Sequence, residues 1–280
     1  MKVGVIGAGT MGQGIAKAFA MTAGYTVALC DIKQEWAESG LAKIIKANER
    51  LVEKGKMSKE EAESIAAKIT PGLKEDICAD CDLIVEAAFE DMAVKKATFR
   101  ELDTICKADC LFASNTSSLS VTEMGHGLSR PLIGMHFFNP ADRMKLIEVI
   151  RGHNTPDDMN ERILEIARSI GKTPVEVNEA PGFVVNRILI PMINEAVGIF
   201  ADGTASAEDI DTAMQLGANQ PMGPLALGDL IGLDICLAIM NVLQEETGDP
   251  KYRPHPYLRK MVCAGKLGRK TGEGFYRYDK

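Results

Sequence analysis

An α/β domain built on a mostly parallel, helix-covered sheet with an inserted helical arm, followed by an all-helical C-terminal domain, is the architecture this sequence predicts. Short β-branched and apolar runs alternate with helical patterns over the first 180 or so of its 280 residues. A glycine-rich turn sits between the first run and the first helix. After "NEAPGFVVNRIL" the strand signals stop and only helical stretches remain. The first two features together mark the open sheet called Rossmann-like.

Residues 2–7 (KVGVIG) form the first strand, and "MGQGIAKAFAMTAG" has the spacing of a helix closing at Gly24. The next run, "YTVALCD", ends in Asp31 and completes a strand–turn–helix–strand unit. Residues 33–68 hold two polar helices turning near "KGKMS", where a plain alternating unit needs one. On the first of these, Lys43, Lys46, Arg50 and Lys54 share a face, while Leu41, Ile44, Ile45, Leu51 and Val52 share another. From Lys43 to Lys59 six basic residues stand against two acidic ones, which reads either as a solvated helix face or as a docking surface for an anion. The runs "CDLIVEAA", "CLFAS", "PLIGMHFF" and "KLIEVI" supply later strands. Pro181-Gly182 marks the boundary between domains 1–181 and 182–280. Residues 183–263 give three or four helices, and the apolar stretch "LALGDLIGLDICLAIMNVL" predicts a face buried against the first domain or a second subunit.

Composition excludes several classes of function. The chain is 46% hydrophobic and 25% charged, with a net charge of −7, a balance opposed to nucleic acid as the main partner because phosphates demand a basic face. No stretch reaches the ~20 uncharged apolar residues of a membrane helix. Met1-Lys2-Val3 enters the strand pattern at once, without a leader, so the cytoplasm is the expected compartment. Seven cysteines, an odd number scattered through apolar runs, fit a reducing compartment. Cys78-Ala-Asp-Cys81, with Cys106 and Cys110, has the wrong spacing for a zinc site; free thiols and no metal are expected.

Gly7-x-Gly9-x-x-Gly12 alone is weak evidence, but its position leaving a strand and opening a helix makes it a dinucleotide cradle. Gly7 permits the tight turn, Gly9 lets a pyrophosphate approach the backbone, and Gly12 allows close helix packing. Thr10 and Met11, between the second and third glycines, belong to the same binding turn. Asp31, 19 residues beyond Gly12, is placed to accept hydrogen bonds from an adenosine ribose and would repel a 2′-phosphate, favouring NAD over NADP. Lys33 nearby leaves NADP open.

Of four histidines, His126, His153 and His255 lie among glycines or prolines in polar loops and read as surface residues. His136 instead ends an apolar strand on the carboxyl side of the sheet, where ligands of such folds bind. Glu148 lies in the next apolar strand after a turn-forming "NPAD", and pairing of the two strands would bring carboxylate to imidazole.

The motifs "GVIGAGTMGQGIA", "VEAAFEDMAVK", "FASNTSSLS", "GMHFFNPADRMKLIEVI", "APGFVVNRIL", "MGPLALGDLIGLD" and "GRKTGEGFYRY" closely resemble those of the short-chain L-3-hydroxyacyl-CoA dehydrogenases, over the whole chain. The resemblance implies that His136 is the general base for the substrate's 3-hydroxyl, with Glu148 orienting its ring. It implies that Ser117 hydrogen-bonds the reacting oxygen and Asn186 the thioester carbonyl. Glu90, Lys95, Asn115, Ser117 and Asn139 would complete the cofactor site, and Lys54 and Lys56 on the arm would meet coenzyme A phosphates. It also implies an acyl-CoA partner and a homodimer formed through the helical domain. Arg143 departs from the family pattern, standing where a small apolar residue is expected. A β-hydroxyacid dehydrogenase acting on free acids shares the glycine start but relies on a helical-domain lysine, where this chain reads "FVVNRIL". A non-catalytic NADH-binding protein is the remaining alternative.

Overall fold

A computed structural model describes residues 1–278, and the chain divides into two compact units, Met1–Ala180 and Pro181–Lys280. In the first unit eight strands form one sheet: β1 (Lys2–Ile6), β2 (Thr26–Cys30), β3 (Ile69–Gly72), β4 (Leu83–Glu86), β5 (Leu111–Ser114), β6 (Leu132–Phe137), β7 (Leu146–Arg151) and β8 (Thr173–Asn178). Their order is β3-β2-β1-β4-β5-β6-β7-β8. The first six are mutually parallel, β7 runs antiparallel to β6, and β8 runs parallel to β7. The chain runs outward from β1 through β2 to β3 and then crosses back to place β4 on the other side of β1, so the crevice of a doubly wound sheet opens at the carboxyl ends of β1 and β4.

Seven helices cover this sheet: α1 (Thr10–Ala20), α2 (Gln34–Glu53), α3 (Lys59–Ala67), α4 (Lys74–Ile77), α5 (Met92–Ile105), α6 (Val121–Gly125) and α7 (Asp157–Ser169). Val3, Val5, Val27, Leu29 and Val85 point to one face, where they pack with Ile15 and Phe19 of α1 and Ile163 and Ile166 of α7. The opposite face carries Ile84 and Phe112, the latter 5.5 Å from the ring of Phe99 on α5. Burial on both faces explains the unbroken apolar runs, each such side chain contributing about 1.5–3 kcal/mol.

The arm is a helix pair, α2 and α3, with Ser58 capping α3 by accepting from Glu61 N at 3.1 Å. Two strands escape the sequence reading because both are sheet edges. β3 contains Pro71 and Gly72, and β8 exposes most of its residues, so neither shows an apolar period. Helix α1 stops at Ala20 rather than at Gly24, which occupies the following turn with φ +83°.

Among its described residues the second unit holds five α-helices where three or four are expected: α8 (Val185–Ala201), α9 (Ala207–Gly217), α10 (Pro224–Ile231), α11 (Leu233–Thr247) and α12 (Pro256–Cys263). The extra break falls at Gly232, whose φ of +106° turns the apolar stretch into two helices bent by 96°. Among the described residues no single helix is long and apolar enough to cross a membrane.

Candidate active site

The glycine turn joins β1 to α1, and its three glycines do different work. Gly7 has φ +102°, and a Cβ there would lie 2.6 Å from the Ala87 carbonyl oxygen. A Cβ on Gly12 would lie 1.7 Å from the Gly7 carbonyl oxygen, so the helix can approach the turn only with glycine. Gly9 is exposed, and a Cβ there meets nothing within 4 Å among the described residues. Gly9 is also the N-cap of α1 and offers no side chain, whereas α3, α5, α6 and α9 are capped by Ser58, Asp91, Ser120 and Ser206. First-turn N–H groups around Thr10 and Met11 and the positive helix end therefore face open space, which fits a pyrophosphate. Asp31 braces the same turn: Oδ2 accepts from Ala8 N and Oδ1 from Ile32 N, each at 2.8 Å. A carboxylate oxygen has two lone pairs, so each retains one for a ribose hydroxyl. Lys33 Nζ stacks 5.0 Å from the Trp36 ring centroid.

At the carboxyl ends of β4 and β5 lies a buried network. Lys95 is only 1% exposed, and its ammonium donates to both oxygens of Glu86, at 2.7 and 2.9 Å, and stands 3.2 Å from Glu90 Oε2. Glu90 Oε1 accepts from Thr116 Oγ1 at 2.6 Å and from Ser117 N at 2.7 Å. Asn115 Oδ1 accepts from Phe137 N at 2.8 Å, tying the loop after β5 to the end of β6. Glu86 is the member that motif reading missed. Its signal was present: a carboxylate ending the apolar run "LIVE" requires a counter-charge, and Lys95 lies nine residues on.

His136 and Glu148 are register partners across the β6–β7 ladder, and their side chains share one face. Nδ1 of His136 lies 2.9 Å from Glu148 Oε2, with both residues buried. An ionised carboxylate can only accept, so in this pair Nδ1 is the nitrogen that carries the hydrogen. The Phe138 ring centroid stands 4.6 Å from the imidazole. The following loop, bearing exposed Asn139 and Arg143, is pinned to α1 by Lys17 Nζ, 3.0 Å from Asp142 Oδ2. Lys172 Nζ donates to the Ala141 and Met144 carbonyls at 2.6 and 2.8 Å, and burial pushes its pKa down.

The first unit thus gathers the glycine turn, Asp31, Glu90, Lys95, Asn115, Ser117, Asn139 and the His136–Glu148 pair along the carboxyl edge of one sheet, whose last two strands run the other way. Lys54 and Lys56 are exposed at the end of α2 and in the arm's turn, and Lys43, Lys46 and Arg50 are exposed along α2. Asn186 lies buried in the first turn of α8, in the second unit. His126 and His153 are exposed, while His255 is half-buried and caps α12 by accepting from Tyr257 N at 3.2 Å. All seven cysteines are free thiols, six of them buried, with Cys30 and Cys78 Sγ atoms 3.4 Å apart. Among the described residues no group of three or more His, Cys, Asp or Glu is arranged to hold a metal ion.

Residues 2–180 match the family described as 3-hydroxyacyl-CoA dehydrogenase, NAD binding domain, and residues 182–278 match its C-terminal domain. The chain is 55% identical to the 3-hydroxybutyryl-CoA dehydrogenase of Clostridioides difficile, covering 100% of both proteins. It is 40% identical to the mitochondrial hydroxyacyl-coenzyme A dehydrogenase of Homo sapiens, covering 99% of this chain and 90% of that protein. The crystal structure of (S)-3-hydroxybutyryl-CoA dehydrogenase from Ralstonia eutropha superimposes with a TM-score of 0.94 at 46% identity, covering 100% of this chain and 99% of that one. The chain belongs to the 3-hydroxyacyl-CoA dehydrogenase family.

Proposed function

We propose that this family member is an NAD-dependent oxidoreductase interconverting (S)-3-hydroxybutyryl-CoA and acetoacetyl-CoA, with His136 as general acid–base. The observation that carries this reading is the buried His136–Glu148 pair on the same sheet edge as the dinucleotide cradle. Gly7, Gly9, Thr10, Met11, Gly12, Asp31, Glu90, Lys95, Asn115, Ser117 and Asn139 would hold the cofactor, whose nicotinamide, when bound, exchanges a hydride with C3 of the substrate. In oxidation His136 Nε2 takes the 3-hydroxyl proton; in reduction it returns that proton to the 3-oxo oxygen. Glu148 fixes the ring and offsets the charge of the imidazolium. Ser117 hydrogen-bonds the reacting oxygen, and Asn186 holds the thioester carbonyl. Lys54 and Lys56 meet the phosphates of coenzyme A.

We further infer a homodimer formed through the second unit, supported by exposed Ile188, Leu216, Leu230 and Ile235, and a cytoplasmic setting, supported by the free thiols. Domains 1–181 and 182–280 are assigned to cofactor binding and to substrate binding with dimerisation.

The test is NADH oxidation with acetoacetyl-CoA beside free acetoacetate. Turnover confined to the thioester is the expected result. Faster turnover of the free acid would assign the chain to the β-hydroxyacid dehydrogenases, and NADH binding without turnover of either would make it a non-catalytic binder.

A further inference from the structure

Glu86 occupies the last position of β4, at the sheet's switch point, and is fully buried. Its two carboxylate oxygens accept four hydrogen bonds. Oε1 takes Ala88 N at 2.6 Å and Lys95 Nζ at 2.7 Å; Oε2 takes Ser114 Oγ at 2.6 Å and Lys95 Nζ at 2.9 Å. These donors come from the loop after β4, from α5 and from the end of β5. The Glu86 carbonyl also accepts from Asn115 N at 2.7 Å.

We propose that Glu86 is a positioning residue of this site, the anchor of a buried brace that sets where Ser117 stands and, through Asn115, fixes the backbone beside His136. The inference rests on the reading above, in which Ser117 contacts the reacting oxygen.

Two routes lead from the Glu86 carboxylate to the loop that bears Ser117. The neutral one runs through Ser114, whose hydroxyl oxygen accepts from Thr116 N at 3.2 Å. The charged one runs through Lys95 to Glu90, which accepts from Thr116 Oγ1 and Ser117 N. Thr116 Oγ1 in turn accepts from Leu119 N at 3.0 Å, closing the loop on itself. The Lys95 ammonium is surrounded by three carboxylate oxygens of Glu86 and Glu90 and, at 3.5 Å, by the Ala88 carbonyl. Glu90, whose side chain is 38% exposed, carries this charged contact to the rim of the site. Lys95 cancels one of the two carboxylates, leaving Glu90 with the remaining negative charge at the rim. A neutral side chain at position 86 would leave that ammonium with Glu90 as its one carboxylate partner, drawing Glu90 inward and away from Ser117 N.

A glutamine at position 86 keeps the shape and removes the charge. Amide hydrogen exchange should show the Thr116 and Ser117 N–H groups of Glu86→Gln exchanging at least tenfold faster than in the unaltered protein, with β1 amides unchanged. Its kcat with acetoacetyl-CoA should fall at least tenfold, measured at saturating NADH and well below the melting temperature, while KM for acetoacetyl-CoA stays within threefold. Lys95→Met should behave alike, and the double variant should be no more than threefold worse than the weaker single, since both remove one brace. Unchanged exchange at Thr116 and Ser117, or a kcat within twofold of the unaltered protein, would overturn the proposal. So would multiplicative losses in the double variant. If Glu86→Gln fails to fold, Ser114→Ala cuts only the neutral route, and it should raise exchange at Thr116 and lower kcat threefold or more; no change in either refutes the brace. Lack of turnover by the unaltered protein would count against the functional reading alone, because the exchange measurement reads the brace without it.

Discussion

His136 and Glu148 face each other as partners in the antiparallel β6–β7 ladder, and imidazole and carboxylate meet at 2.9 Å inside the protein. Side chains alternate across a strand, so a one-residue slip of β7 would carry Glu148 to the opposite face and leave the imidazole without its carboxylate. The strand register therefore decides whether imidazole and carboxylate meet. It is secured from outside the ladder by β8, which pairs with β7 along its full length, and by the loop anchors Lys17–Asp142 and Lys172.

Glu148→Gln preserves the side chain's size but replaces an acceptor-only carboxylate by a neutral amide that can also donate, so it no longer fixes the ring's tautomer. It should lower kcat by about 10²-fold, and His136→Ala by roughly 10²–10⁴-fold, the usual contribution of a positioned general base. NADH affinity, followed by fluorescence, should be retained in both. Near-normal turnover in either variant would reject the assigned roles.

The glycine turn separates packing from binding. Gly9→Ala adds a methyl that meets no residue beyond its chain neighbours within 4 Å among the described residues, so the melting temperature should be unchanged while the Kd for NADH rises at least tenfold, by about 1.4 kcal/mol or more. Gly12→Ala drives a methyl to 1.7 Å from the Gly7 carbonyl and should destabilise the protein by more than about 2 kcal/mol. Equal loss of stability in the two variants would contradict this division.

How much of this was legible in the sequence follows from where each residue sits. The cradle could be read because its glycines answer to local backbone geometry, and His136 because an imidazole ending an apolar strand is conspicuous. The pairing of His136 with Glu148 was legible only as a condition, since register is a tertiary property. Edge strands β3 and β8, half-exposed or bearing Pro71, lack the apolar run that betrays a central strand. The carboxylate of Glu86 at the end of an apolar run signalled a buried partner, but which partners it takes was not legible, because Lys95 and Ser114 lie 9 and 28 residues away and meet it only when β4, α5 and β5 assemble. The break at Gly232 was concealed by the continuous hydrophobicity on both sides of it.

Asp31 presents its carboxylate beside the turn, held by Ala8 N and Ile32 N. A 2′-phosphate placed near it would meet repulsion on the order of 1–4 kcal/mol. kcat/KM with NADH should therefore exceed that with NADPH by at least tenfold, and Asp31→Asn should narrow the gap while raising KM for NADH. A lower KM for NADPH in the unaltered protein would refute the role given to Asp31.

On the arm, Lys54 and Lys56 are exposed, so any attraction to coenzyme A phosphates acts through water and is screened by salt. Each alanine variant should raise KM for acetoacetyl-CoA by up to about fivefold at low salt, in line with a contribution near 1 kcal/mol per exposed pair. The difference from the unaltered protein should shrink as ionic strength rises from about 50 to 500 mM. A KM that is unaffected at low salt would place the phosphates elsewhere.

Asp229 is buried and accepts from Phe275 N, Tyr276 N and the Tyr278 hydroxyl, each at 3.0 Å, clasping the C-terminal segment onto α10. Burial outweighs these hydrogen bonds and pushes its pKa up, so the folded chain holds this proton to a higher pH than the unfolded chain does. The folded state then binds more protons than the unfolded state in the window starting near ~3.9, and stability from this group falls as pH rises through it. Asp229→Asn has no proton to lose there and shifts stability by a constant offset. The difference in unfolding free energy, unaltered protein minus variant, should therefore decrease as pH rises above about 4 in urea titrations. A difference that grows with pH would mean that the three donors, rather than burial, govern this carboxylate.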